Sequence, residues 1–153
     1  MAESQSDFQS LKLTIDSQLC FALHSASNAI EQLYRPLLAS FDLTYPQYIV
    51  LMALAERDSS SITDLAKRLT VSKATMTPLL RRLESKKLIE RNLKEGNERQ
   101  KAVSITRVGR ALFADASVSS RQVFCASGLS KEQMDEFLYL TKLISRNHNQ
   151  NAA

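Results

Sequence analysis

The chain has 153 residues, 44% of them hydrophobic and 24% charged, which are the proportions of a globular protein with room for one ordinary domain and too little for two. Three glycines and three prolines argue against an all-β fold built on turns, and no apolar run approaches the roughly 18 residues that span a bilayer. The net charge of +4 is unevenly spread: from Ile62 to Arg110 there are 13 Lys and Arg against 5 Asp and Glu, whereas the remainder carries 7 against 11. A local basic excess of that size suits a surface that meets phosphates, although a solvated helix face would also produce it. Met1 to Asp7 lacks the basic and apolar regions of a signal peptide, so a cytoplasmic protein without membrane partners is expected. Cys20 and Cys125 form no C-x-x-C pair, and His24 and His148 stand far apart; no metal site or cofactor is expected.

The first helix is read from about Ser10 to Ala39, where Leu19, Leu23, Ala26, Ile30, Leu33 and Leu37 recur every three or four positions as one buried stripe. Pro36 should kink or end it. Thr44 with Gln47 has the spacing of a capping box, and Tyr48, Leu51, Met52 and Ala55 continue a second, central helix to about Arg57. Ser61 opens a third helix through Leu69, and after Thr70-Val71 a fourth begins with Ser72 as its cap. Two short helices joined so tightly make a helix-turn-helix candidate.

If the fourth helix runs from Lys73 to Lys87 despite Pro78, its inner face is Met76, Leu80, Leu83 and the stem of Lys87, with Leu79 at the edge. Ala74, Thr75, Pro78, Arg81, Arg82 and Ser85 then face outward. Leu88 to Asn92, a charged turn from Leu93 to Gln100 containing Gly96, and the alternating Lys101 to Ile105 follow as a hairpin. Helix-turn-helix followed at once by such a hairpin is the order of a winged helix, used to bind nucleic acid or, in the competing reading, to dock protein. Thr106 caps a fifth helix running toward Cys125, Gly128 breaks it, and Ser130 with Gln133 opens a sixth to about Arg146. The fold is therefore expected to be mainly α with a small β-hairpin wing: a winged helix over about 46–105, flanked by dimerisation helices over about 10–45 and 106–148, all in one domain covering 1–153.

Several segments together resemble the organic-hydroperoxide-sensing branch of the MarR family. They are Leu19-Cys20-Phe21-Ala22-Leu23, Tyr34-Arg35-Pro36-Leu37-Leu38, Leu43-Thr44-Tyr45-Pro46-Gln47-Tyr48 and Thr75-Met76-Thr77-Pro78-Leu79-Leu80-Arg81-Arg82-Leu83-Glu84, with a wing reading Asn97-Glu98-Arg99 and then Ile105-Thr106-Arg107-Val108-Gly109. The resemblance runs from about residue 16 to 145. It departs from the family pattern at Asn97, where aspartate is usual, at His24, where tyrosine is frequent, and at Ser72-Lys73-Ala74, which opens the recognition helix.

What the resemblance implies is a homodimeric repressor of the two-cysteine type that binds double-stranded operator DNA and lets go when organic hydroperoxide oxidises Cys20. Without it, a cysteine on an amphipathic helix reads as a small core residue. Tyr34 and Tyr45 match the family's thiolate-supporting tyrosines, and Cys125 matches a second cysteine that resolves the sulfenic acid. Tyr34 lies 14 residues beyond Cys20, about 21 Å along a helix, so the two meet only if a second subunit crosses the first antiparallel. DNA would be read by Ser72, Lys73, Ala74, Thr75, Thr77, Pro78, Arg81 and Arg82 in the major groove, with Arg99 at the minor groove. The alternative regulator is a MarR-type repressor released by a small phenolic ligand, its cysteines structural. A thiol peroxidase is a third reading, but a turnover enzyme has no need of a basic winged helix.

Overall fold

The computed structural model describes residues 14–94 and 97–151, with side-chain positions for all of these except 93, 94, 97–101 and 148–151. A 3-10 turn at Ile15–Ser17 leads into α1 (Leu19–Ala39), α2 (Tyr45–Glu56), β1 (Ser60–Ser61), α3 (Ile62–Arg68), α4 (Lys73–Ser85), β2 (Ile89–Lys94), β3 (Asn97–Ile105), α5 (Arg107–Ala116), α6 (Val118–Ala126) and α7 (Lys131–Asn151). The three strands form an antiparallel sheet in the order β1-β3-β2, with Ser60 opposite Val103 and Ile89 opposite Ile105. The mainly helical fold with a small β wing is thus the one expected from the sequence.

The core is built around α2, whose Tyr48, Val50, Leu51, Ala53 and Leu54 are all buried. Around it pack α1, α3, α4, α5 and β3. Leu65 and Ala66 of α3, Met76, Leu80 and Leu83 of α4, and Leu88, Ile89, Val103 and Ile105 of the hairpin close the same cluster. The helix starts follow local chemistry. Ser61, Ser72 and Thr106 each accept a hydrogen bond from the amide three residues on, at 3.0 Å, satisfying a donor that the first turn leaves free. Ser130 and Gln133 exchange bonds reciprocally, as their spacing predicts.

Several boundaries differ from those expected. α1 begins at Leu19 after a 3-10 turn, not near Ser10; Ser10 to Leu13 lie outside the described residues. Pro36 does not end α1, which continues to Ala39 because packing of Leu38 and Leu43 outweighs one lost hydrogen bond. The expected stripe of α1 is not buried in the single chain: Leu19 is exposed, Leu23, Ile30, Leu33 and Leu37 are half-buried, and only Leu38 is fully enclosed. α4 passes through Pro78 but stops at Ser85, and Lys87, at φ +58°, is exposed and not part of the inner face. The fifth helix is two helices that meet at Ser117. β2 and β3 extend further toward the wing tip than the alternation suggests, and β1 had not been expected.

Candidate nucleic-acid interface and thiol site

Alternation of apolar and polar positions along α4 sends Met76, Leu80 and Leu83 into the core and leaves Ala74, Thr75, Pro78, Arg81, Arg82 and Ser85 outside. Ser72 is committed as the cap, its Oγ also lying 2.9 Å from Thr75 Oγ1. Lys73 is the first helical residue, exposed, and its carbonyl accepts the Thr77 hydroxyl at 2.8 Å. That bond turns Thr77 toward its own helix, where it is half-buried. Glu84 pairs with Arg91 of β2 at 3.2 Å, and Lys86 reaches the Asp42 carboxylate at 2.9 Å, so the C-terminal end of α4 is fixed to the body. Arg99 and Asn97 are at the start of β3, and their side chains lie outside the described ones.

The second group of expected site residues sits at the other side of α2. Tyr34 of α1 and Tyr45 at the start of α2 are half-buried and in contact, with ring centroids 4.9 Å apart and planes tilted by 37°. Tyr48, one turn on, is 5.8 Å from Tyr34 and 5.7 Å from Phe113 of α5. The Tyr34 hydroxyl donates to Ser120 Oγ of α6 at 3.2 Å, and the Tyr48 hydroxyl shares a 2.7 Å bond with the same oxygen. Burial, with the neighbouring Tyr34, Glu31 and Tyr48, raises the Tyr45 phenol above its ordinary pKa. Burial also raises Tyr48, against the lowering effect of its bond to Ser120. Both are neutral phenols at physiological pH.

Tyr45 forms part of the wall of a groove of about 400 Å³ between α1 and α7, otherwise lined mostly by Leu23, Ala26, Ile30, Phe137 and Leu138. Cys20 is exposed on the first turn of α1, fourteen residues from Tyr34 on the same continuous helix, and Cys125 is exposed on the last turn of α6. One chain therefore does not bring Cys20 to the tyrosines. His24 lies one turn beyond Cys20 and meets Asn28, its Nε2 being 3.0 Å from the amide nitrogen. Among the described residues no cluster of His, Cys, Asp or Glu is arranged to hold a metal, and no helix is long and apolar enough to cross a membrane.

Ser120 and Tyr48 were missed from the sequence. Tyr48 was read as a core position of α2 and as part of the Leu43–Tyr48 segment of the resemblance, with no hydrogen-bonding role, and the Ser120 contacts join residues 72 and 86 positions apart, beyond the reach of any local pattern.

The core helix, helix-turn-helix and paired wing strands, with an exposed basic helix face, define a winged-helix DNA-binding transcriptional regulator. Comparison with known proteins is consistent: a model described as the MarR family matches residues 43–101. The organic hydroperoxide resistance transcriptional regulator of Bacillus subtilis is 33% identical over 136 residues, which is 89% of each chain. The HTH-type transcriptional regulator TtmR of Methylorubrum extorquens is 43% identical over 99 residues, 65% of this chain and 51% of its own, so the chain spans about half the length of that relative. Staphylococcus aureus MepR, solved as a complex with DNA, superposes with a TM-score of 0.73 at 28% identity, covering 84% of this chain and 98% of that one. The chain belongs to the MarR family, and its relatives are regulators rather than enzymes.

Proposed function

We propose that the protein is a cytoplasmic repressor that binds operator DNA as a homodimer while Cys20 is reduced and releases it when an organic hydroperoxide oxidises Cys20. The observation that carries this reading is the Tyr34–Tyr45 pair, with a Tyr45 phenol kept neutral on the wall of an apolar groove, while Cys20 stands exposed fourteen residues up the same helix. An antiparallel second copy of α1 would lay its Cys20 over that pair. Phenolic O–H groups stabilise a thiolate by hydrogen bonding without adding a full charge. The regulator of Bacillus subtilis, whose name refers to organic hydroperoxide resistance, supports the choice of signal.

The chemistry balances without a cofactor. The Cys20 thiolate attacks the terminal peroxide oxygen, the O–O bond breaks, and the alcohol leaves after taking a proton from solvent; sulfur has lost two electrons and is a sulfenic acid. The Cys125 thiol of the second subunit then displaces the sulfenic oxygen, which leaves as water as the S–S bond forms. On DNA, the outward face of α4 enters the major groove through Ala74, Thr75, Pro78, Arg81 and Arg82, Ser72 and Lys73 approach the backbone beside it, and Arg99 reaches the minor groove.

The groove itself favours one competing reading, release by a small phenolic ligand, since about 400 Å³ of mostly apolar space suits an aromatic guest. Fluorescence anisotropy with operator DNA separates the two. Reduced protein should bind, one equivalent of cumene hydroperoxide should release it, and Cys20→Ser should bind but not respond. Release of the serine variant at the wild-type rate would overturn the thiol reading and leave the ligand reading in its place.

A further inference from the structure

Polar contacts gather α3, β1, β3 and α5 around the C-terminal end of α2. Arg68 of α3 donates to the carbonyl of Ala53 at 3.0 Å, and Ser60 Oγ at the start of β1 donates to the carbonyl of Arg57 at 3.0 Å. Asp58 makes the remaining links. Its Oδ1 accepts the Ile105 amide of β3 at 3.1 Å and the Ser59 amide at 2.9 Å, and its Oδ2 accepts Nη2 of Arg110 in α5 at 2.8 Å. The register of β1 on β3 explains the bond to Ile105. Ser60 stands opposite Val103, so residue 58 falls opposite Ile105, where β1 has not yet begun. The neighbouring Thr106 amide turns to the carbonyl of Leu88 on the β2 side, which leaves the Ile105 amide facing β1. There the Asp58 carboxylate takes the place of a strand carbonyl and satisfies that amide.

We propose that Asp58 is a positioning residue for DNA binding: it sets the angle of the wing against the recognition helix without touching DNA itself. The proposal rests on the reading above in which Arg99 of the wing reaches the minor groove. α4 is held to α2 through the shared core, and β3 is an arm that leaves that core at Ile105. Position 99 lies six residues along the arm, about 20 Å at roughly 3.3 Å per residue, so a tilt of about 6° at Ile105 carries it by about 2 Å. A displacement of that size breaks a hydrogen bond at the far end while α4 stays seated. Val103 and Ile105 hold the arm to the core with buried side chains, but apolar packing is non-directional. Bonds from one carboxylate to a strand amide and a guanidinium have a direction, and they supply the missing constraint. The Asp58 and Arg110 side chains are 44% and 50% exposed, so the ion pair adds little to the stability of the fold. Its consequence is for the aim of the wing. A carboxylate has no attraction for phosphate, which separates the role of Asp58 from that of the arginines.

The test uses the full-length reduced protein and a fluorescein-labelled duplex selected on the wild type from a random-sequence pool, with affinity read by anisotropy over a range of salt. Asp58→Ala should weaken binding about tenfold. The slope of log affinity against log salt should stay as it is, because no phosphate contact is lost. Arg99→Ala supplies the decisive comparison: in that background Asp58→Ala should cost less than about twofold, since the wing no longer has a contact to misplace. A residue that merely stabilises the fold would cost the same factor with and without Arg99. Asp58→Asn keeps an acceptor for the Ile105 amide and removes only the charge that holds Arg110. It should cost about threefold, again only with Arg99 present, which keeps the comparison available if the alanine variant does not fold. If Arg99→Ala alone leaves affinity unchanged, the wing reading fails and the proposal with it. If Arg99→Ala weakens binding but the Asp58 variants do not, or cost the same factor in both backgrounds, or change the salt slope by about one, this proposal alone is overturned.

Discussion

At Gly109 a methyl group would sit 2.0 Å from the carbonyl oxygen of Leu88, well inside any tolerable contact. The same carbonyl accepts the Thr106 amide at 3.0 Å, and Thr106 Oγ1 bonds the carbonyl of Lys87 at 2.8 Å, so α5 is seated directly on the base of the wing. Gly109→Ala must push α5 off that base, and we expect it to destabilise the fold by about 2–3 kcal/mol, read as a lower urea midpoint. Thr70 presents the opposite case. It holds φ +55° in the turn between α3 and α4, where the Thr70 amide bonds Lys67 O and the Val71 amide bonds Ala66 O, the paired bonds of a Schellman ending. A β-branched residue is strained there, and its side chain is exposed. Thr70→Gly should therefore gain about 0.5–1 kcal/mol, after the entropy cost of glycine is set against the relieved strain; an unchanged or lower urea midpoint would refute this. Tyr45 and Tyr48 make the fold sensitive to alkali. Burial raises both phenols, so above the unfolded value of about 10 the unfolded chain ionises first while the folded chain keeps its protons. Their stabilising contribution is complete below that pH and is lost as pH rises through the folded-state values. Urea midpoints should fall more steeply above about pH 10 in the wild type than in Tyr45→Phe.

Along whole elements, capped helix starts were legible, and the ends at Ala39, Glu56 and Arg68 fall within a residue of those expected, whereas the start of α1, the close of α4 and the start of α6 were not legible. A cap such as Ser61, Ser72, Thr106 or Ser130 acts on an amide three residues away, so the signal is contained in a short stretch of sequence. The close of α4 depends on a left-handed residue, Lys87, with no glycine to mark it. The division of α5 from α6 at Ser117 likewise lacks a breaker, and β1 exists because Ser60 and Ser61 pair with residues more than forty positions away. The outward side of α4 was readable because 3.6-residue periodicity separates Met76, Leu80 and Leu83 from Arg81 and Arg82 without long-range information. The tyrosines were placed by resemblance, while their tie to Ser120 needed the fold. Arg81 and Arg82 are exposed and carry the charge of that face, so Arg81→Ala and Arg82→Ala should each weaken operator binding. If they meet phosphates, each should reduce the slope of log affinity against log salt by about one. A loss of affinity confined to particular base substitutions, with the slope unchanged, would instead assign that arginine to base readout; unchanged affinity in both would remove the face from the interface.

Across the molecule, the winged-helix core is closed but the outer helices are not. Leu19 and Phe21 of α1 and Phe137, Leu138, Tyr139, Leu140, Leu143 and Ile144 of α7 are large apolar side chains left in water in the single chain. Apolar surface on that scale marks an association site, and a second copy crossing α1 antiparallel would cover it while bringing each Cys20 to the tyrosines of the other subunit. In that arrangement Cys20 of one chain lies near Tyr34 of the second subunit, whose Ser120 is bonded to that tyrosine and whose Cys125 is about 7.5 Å further along α6. A disulfide requires Cα atoms within roughly 7 Å and sulfurs about 2 Å apart; if the reduced dimer holds Cys20 and Cys125 further apart than that, closure would require α6 to shift and the end of α5 to turn with it. Because α5 is seated on Leu88 and adjoins α6 at Ser117, such a rotation would pass to both recognition helices and would spoil their spacing on half-sites about one helical turn apart. Peroxide treatment followed by non-reducing electrophoresis should show a covalent dimer that is absent in Cys20→Ser and in Cys125→Ser, and DNA release should accompany its appearance. A monomer band throughout, with release at the normal rate, would assign Cys125 a structural role and make oxidised Cys20, alone or capped by a small thiol, the signal that frees the DNA.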